Sequence, residues 1–210
     1  ARITFPVRDA RGRMQGFGAR ALRPDTKPKY LNSAEGELYR KSRTLYGIDR
    51  ARGPIARTGR AVVVEGYTDV LAAHQAGIEE AVAVMGTAIT PEQVQQLASY
   101  AEEVVLALDA DRSGRAAMLR AQRVAGGRKV RLRVASMPAG EDPDTFVRRH
   151  GRTAYGEAIT AAEPYLDYLL ERAAGARGGG GGPPPGGGGG GVRGGGGRGP
   201  DPAAREPVGG

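Results

Sequence analysis

Residues 104–114 read Val104-Val105-Leu106-Ala107-Leu108-Asp109-Ala110-Asp111-Arg112-Ser113-Gly114, an apolar run that stops abruptly at two acids and a glycine. Five apolar residues without alternation mark a strand buried on both faces, as in a parallel sheet covered by helices. The same pattern recurs on either side. Apolar runs stand at Ala61-Val62-Val63-Val64, at Ala81-Val82-Ala83-Val84-Met85 and from Val130 to Ala135. Segments of helical length separate them, at 68–76, 91–100 and 113–124. Thr90-Pro91-Glu92-Gln93 supplies an N-cap, a proline at the first helical position and a capping-box glutamine. Asp142-Pro143 starts another helix through about Arg149, and further helices are expected near 153–162 and 164–174. The expected fold class is therefore α/β, a parallel sheet flanked by helices.

Before residue 60 the pattern is less regular. A hairpin is expected over residues 3–22, turning at Asp9-Ala10-Arg11-Gly12, with Pro6 confining the first strand to an edge. A polar stretch from Pro24 to Ser33 follows, then a short helix near Glu35–Arg43. From Gly175 to Gly210 the chain is nearly all Gly, Pro and Arg, which cannot bury enough apolar surface to offset the entropy of ordering, so a disordered tail is expected. The first residue is Ala1, the opening reads as mid-strand, and a piece of a longer protein is expected.

The formal net charge is +8, a balance that favours a polyanionic partner. There are no cysteines and only two histidines, His74 and His150, which excludes disulfides and a Cys-rich zinc site in this chain. Neither histidine is given a role. No apolar run is long enough to span a bilayer, so no membrane association is expected.

In an open parallel sheet, function collects beyond the carboxyl ends of the strands. Three strands deliver acids there: Glu65 before Gly66, Asp109 and Asp111 before Gly114, and Glu141-Asp142-Pro143-Asp144. Asp69 follows Glu65 by four residues, so in the first turn of a helix it faces the same crevice. Carboxylates gathered in this way repel one another unless cations hold them. Hard oxygen donors suit Mg²⁺ (with Mn²⁺ as a substitute), and two such ions about 3.5–4 Å apart can serve an in-line phosphoryl transfer. Gly66 and Gly114 let the backbone turn beside the acids where a side chain would crowd a phosphate.

Glu65-Gly66-Tyr67-Thr68-Asp69-Val70, Gly86-Thr87-Ala88-Ile89-Thr90 and Asp109-x-Asp111-x-x-Gly114 together resemble the Toprim domain of bacterial DnaG-type primases. Glu plus Asp-x-Asp alone does not separate primases from topoisomerases, recombination proteins or nucleases that share Toprim. The flanks do: Phe5-Pro6-Val7-Arg8-Asp9, Gly16-Phe17-Gly18-Ala19-Arg20, Lys29-Tyr30-Leu31-Asn32-Ser33, Lys41 and Leu45-Tyr46-Gly47 are similar to the primase segment before Toprim. Ala34 stands where the family often has proline. The resemblance implies part of a mixed α+β polymerase subdomain at 1–58, Toprim at 59–152, and the start of a helical subdomain at 153–174.

The resemblance also implies roles. Glu65, Asp69, Asp109, Asp111, Asp142 and Asp144 would form the metal cluster, with Glu65, Asp109 and Asp111 catalytic. Glu65 is either a general base for the attacking 3′-hydroxyl or a direct ligand. Arg8, Lys29, Tyr30, Asn32 and Lys41 would contact nucleotide or template, with Arg20 and Arg115 as weaker nominees. Tyr67 either stacks on a base or is buried against the sheet. The implied activity is Mg²⁺-dependent synthesis of RNA primers from NTPs on single-stranded DNA, in the bacterial cytoplasm at the replisome. Zinc is expected only in an upstream module, and a replicative helicase only through a further domain. The competing expectations are another Toprim phosphotransferase, such as a topoisomerase or nuclease, and a non-catalytic metal- and nucleotide-binding module.

Overall fold

The computed structural model describes residues 1–85, 88–107, 115–138 and 141–178. Asp109, Asp111, Gly114, Gly86, Thr87 and the Gly/Pro tract after residue 178 lie outside the described residues. Strands β1 (Arg2–Arg8), β2 (Met14–Ala21) and β3 (Tyr30–Asn32) make an antiparallel sheet in that order. The expected hairpin is present. Its turn is closed by the Asp9 carboxylate, which accepts from the Arg11 and Arg13 N–H groups. Pro6 lies in β1, an edge strand, where its missing donor is tolerated.

After helix α1 (Ile48–Thr58), the chain lays down β4 (Arg60–Val64), α2 (Tyr67–Gln75), β5 (Ala81–Ala83), α3 (Pro91–Leu97), β6 (Glu103–Leu106) and α4 (Arg115–Gly127). It ends in β7 (Arg131–Val134), α5 (Pro143–Thr160), β8 (Glu163–Pro164) and α6 (Tyr165–Gly178). The second sheet has the order β5-β4-β6-β7-β8, parallel except for the short antiparallel β8. Successive side chains leave opposite faces, and both faces are buried. Ala61, Val63, Leu106 and Val134 pack with residues of α1, α3, α4 and α6, among them Ile55, Leu97, Ala125 and Tyr165. Val62, Val64 and Val105 pack with Val70 and Ala73 of α2, Tyr155 and Ile159 of α5, and Phe5 and Val7 of β1. The small sheet thus shares the core on the α2/α5 side.

Several sequence expectations need correction. No helix forms near residues 35–43. There Gly36 N–H donates to the Tyr39 carbonyl and the Glu35 carboxylate accepts from the Lys41 N–H, so turns satisfy the backbone instead. Helix α1, which lacked a clear period, forms despite Pro54, because Ile48, Ala51 and Ile55 share one buried face. β3 arises inside the polar stretch by pairing with β2. The strand expected to reach Met85 ends at Ala83, and Met85 turns to φ 59°. The two helices expected at 143–149 and 153–162 join into α5, broken only at Gly151, where φ is 83°. Helix α6 runs to Gly178, a few residues into the tract expected to be disordered from 175.

The two sheets interlock at Tyr67. Its ring stacks on Phe5, with centroids 4.7 Å apart and planes 2° from parallel, and Tyr46 meets it edge-on at 4.7 Å. Gly18 presses on the same ring so closely that any added Cβ would overlap the phenol. Gly18→Ala should therefore destabilise the fold by about 1–3 kcal/mol. Urea unfolding measures this, and unchanged stability would contradict the interlock.

Candidate functional site

β4 ends at Val64, and the following Glu65 and Gly66 lead directly into α2. The Met85 N–H donates to the Glu65 carbonyl (2.8 Å), which ties the ends of β4 and β5 together. Gly66 adopts an extended N-cap conformation, and the Asp69 carboxylate, one turn into α2, accepts from its N–H at 2.9 Å. Asp69 is only 5% exposed. Burial raises its carboxyl to about 6, with the charges of Asp142 and Glu65 adding to the shift, while the Gly66 and Asp144 N–H groups oppose it. Three of the expected acids, arriving from two strand ends, therefore influence one another.

Asp142 caps α5, its carboxylate accepting from the Thr145 N–H at 2.7 Å. Its burial opposes ionisation, but the hydrogen bonds from Thr145 and the charge of Arg148 prevail and lower its carboxyl from the ordinary value. Asp144 is held by Arg148 through bonds of 2.9 and 2.7 Å, so its carboxylate faces that guanidinium. Glu141 accepts from Arg149 at 2.8 Å and contacts His150 Nε2 at 3.0 Å. Among the described residues no group of three His, Cys, Asp or Glu side chains is assembled closely enough to hold a metal ion. The donors that are present are hard carboxylate oxygens, and a divalent cation would relieve the reluctant ionisation of Asp69 beside two further acids, which is chemistry that suits an ion such as Mg²⁺.

The expected nucleotide and template residues fall into three places. Tyr30, 41% exposed, carries Lys29 Nζ 5.6 Å and the Arg20 guanidinium carbon 5.8 Å from its ring centroid. Asn32 lies in the same short strand, and its Oδ1 accepts from the Tyr67 hydroxyl. Because Tyr67 is two residues beyond Glu65, this bond brings the β3 group to the acidic edge. Tyr67 itself is buried, 3% exposed, which decides against base stacking. Arg8 stands at the opposite end of β1, where it donates to the Gly12 carbonyl at 3.0 Å. It is five residues from Ile3, which pairs with Arg20, and so about 16 Å along the strand from the Tyr30 group. The structure does not bring Arg8 together with that group.

Lys41 is positioned by a residue that sequence reasoning credited only with capping. Gln93 is fully buried and closes the capping box with Thr90. Its Nε2 also donates to the carbonyls of Lys41 (3.1 Å) and Thr44 (2.9 Å), while Thr90 Oγ1 donates to the Ser42 carbonyl at 2.6 Å. The start of α3, at the carboxyl end of β5, thereby docks the Lys41 segment.

Residues 62–147 match a family described as Toprim-like, and residues 1–52 match the N-terminal domain of the DNA primase catalytic core. The DNA primase of Synechococcus elongatus is 43% identical over 177 residues, covering 81% of this chain and 25% of that protein. The DNA primase of Escherichia coli K12 is 44% identical over 173 residues, covering 80% and 29%. A solved DnaG primase catalytic domain bound to ssDNA is 41% identical, with a TM-score of 0.74, covering 83% of this chain and 56% of the other. The chain thus spans between a quarter and a third of the length of these two relatives. The match before residue 53 extends the likeness to the flank that distinguishes primases from other Toprim proteins.

The acidic edge yields one direct expectation. A carboxyl raised from 3.8 to about 6 on folding costs stability progressively between those two pH values and in full above them, and Asn keeps the acceptor without the charge. Asp69→Asn should raise stability at pH 7.5 in the absence of divalent ions by about 1–3 kcal/mol. A lower unfolding midpoint under those conditions would contradict the crowding of carboxylates.

Proposed function

This chain belongs to the bacterial DnaG-type primase family, and from that premise we propose that it contributes the metal- and nucleotide-holding core of template-directed RNA primer synthesis. The observation that carries the reading is the junction at α2: buried Asp69 shares its field with Glu65 and Asp142, while Tyr67 fixes Asn32 beside them. Residues 1–58 would belong to the polymerase subdomain, 59–152 to Toprim and 153–174 to the beginning of a helical subdomain.

In this reading Glu65, Asp69, Asp109, Asp111, Asp142 and Asp144 hold Mg²⁺, with Mn²⁺ as a substitute. When bound, the metal neutralises phosphate charge and favours attack at the α-phosphate of an NTP. The protein's own residues supply position. The Gly66 N–H fixes the Asp69 carboxylate, and the Met85 N–H fixes the Glu65 backbone. Glu65 would receive a proton from a 3′-hydroxyl or act as a ligand. Lys29, Tyr30 and Asn32 would present charge and an exposed ring to a nucleotide or a single-stranded template, as would Lys41, whose segment Gln93 anchors to the start of α3. Arg8 would contact template farther along the small sheet. Catalysis of this kind rests on orientation and charge stabilisation rather than on a covalent intermediate. Localisation to the bacterial cytoplasm, at the replisome, and contact of the whole protein with a replicative helicase follow from the same reading. Among the described residues, no helix is long and apolar enough to cross a membrane.

Carried in a full-length primase, Glu65→Gln and the pair Asp109→Asn/Asp111→Asn should each lower primer synthesis on single-stranded DNA by about 100-fold or more. Near-normal synthesis by either would overturn the assignment.

A further inference from the structure

Helix α4 and the turn after it form a line of cations with no acidic neighbour in sequence. From Arg112 to Gly140 the chain contains no Asp or Glu. Arg120, Arg123, Arg128 and Lys129 are exposed, and among the described residues none of them enters an ion pair. Arg131 and Arg133 differ, since both reach the Glu103 carboxylate, at 3.5 and 3.4 Å. Arg120 and Arg123 are three residues apart and share one side of the helix. α4 packs on the face of the large sheet opposite to the small sheet, so this line is separate from the Lys29–Tyr30–Asn32 group.

The turn that ends α4 provides an independent observation. The Val130 N–H donates to the Ala125 carbonyl (2.9 Å) and the Lys129 N–H to the Gly126 carbonyl (3.2 Å). Those two bonds define a Schellman motif, whose left-handed residue is usually glycine. That residue here is Lys129, at φ 59°. α2 ends in the same pair of bonds, Ile78 to Ala73 and Gly77 to His74, with Gly77 at φ 87°, and α1 ends on Gly59 at φ 70°. Gly126 and Gly127 lie too early to relieve the strain at 129. The fold therefore keeps a long cationic side chain at a position where glycine would be more stable, and it does so at the end of the cationic line.

We propose that the outer side of α4 and its Lys129 turn form a second nucleic-acid contact, which holds the phosphate backbone of single-stranded template. α4 descends from the carboxyl edge of the sheet, where the acids lie, to the amino edge, where β7 begins at Arg131. Its 13 residues span about 20 Å, the reach of several successive phosphates. α4 contains no aromatic residue on which bases could stack, so the contact is to the backbone and is independent of sequence. This inference rests on the primase reading for its choice of polyanion.

The test is binding of a fluorescent 20-nucleotide single-stranded DNA to this chain, followed by anisotropy across a salt series. Lys129→Gly should melt about 2 °C higher than the parent. It should nevertheless bind about 3-fold more weakly, with the slope of log affinity against log salt reduced by about 0.7. Arg120→Ala/Arg123→Ala should bind about 10-fold more weakly and lose about twice that slope. Lys29→Ala, on the other face, serves as the comparison. If the α4 variants bind like the parent while Lys29→Ala weakens binding, the α4 contact is refuted and the primase reading stands. If poly-glutamate displaces the DNA from the α4 line at equal charge concentration and the Lys129 variant resists it, the patch belongs to an acidic protein and the inference fails. If the parent chain binds no single-stranded DNA at all, both readings fall.

Discussion

The rest of the site depends on the packing of one ring. Tyr67 follows the acidic strand end, yet it reaches the other sheet: it stacks on Phe5, is pressed by Gly18 and is bonded to Asn32, while Tyr46, which bridges to Ala83 of β5, meets it edge-on. That wedge adds to the packing of Phe5 and Val7 against the large sheet on the α2/α5 face. With it, the β3 strand carrying Tyr30 and Asn32 is held beside the strand end carrying Glu65. The energetic basis is ordinary aromatic burial, and the geometric consequence is that two sets of groups with opposite charge preference share one edge.

A division of labour follows at the strand ends. The apolar strands fix the height at which the chain turns, and backbone donors fix the acids once it has turned. Asp69 shows the cost of this arrangement, since it is buried among like charges and ionises reluctantly. Groups held in that condition are common where a charged ligand completes the site. Gln93 works in the opposite manner. It is buried, neutral and bonded on both sides, and it converts a helix cap into an anchor for a distant segment.

Much of the α/β architecture was legible because its strands are fully buried and therefore read as unbroken apolar runs. The hairpin was legible from its turn residues. What escaped had causes outside local pattern. β3 is a strand only because β2 offers a partner, and α1 is a helix because Ile48, Ala51 and Ile55 have a sheet to cover. The segment 35–43 has helical composition but is held in turns by Glu35 and by Gln93, fifty residues away in sequence. At the site, spacing suggested that Asp69 faces Glu65, and the structure has the two within each other's field. The Tyr67–Asn32 bond could not be foreseen, because no sequence rule pairs positions 35 residues apart.

The central claim is that acids and nucleotide-facing groups constitute one site. Calorimetric titration of this chain with Mn²⁺, with and without an NTP, tests it most directly. The account predicts metal binding that the NTP tightens, and loss of that binding in Asp109→Asn/Asp111→Asn. A folded chain whose metal affinity is indifferent to the NTP, or unaffected by the double substitution, would contradict it.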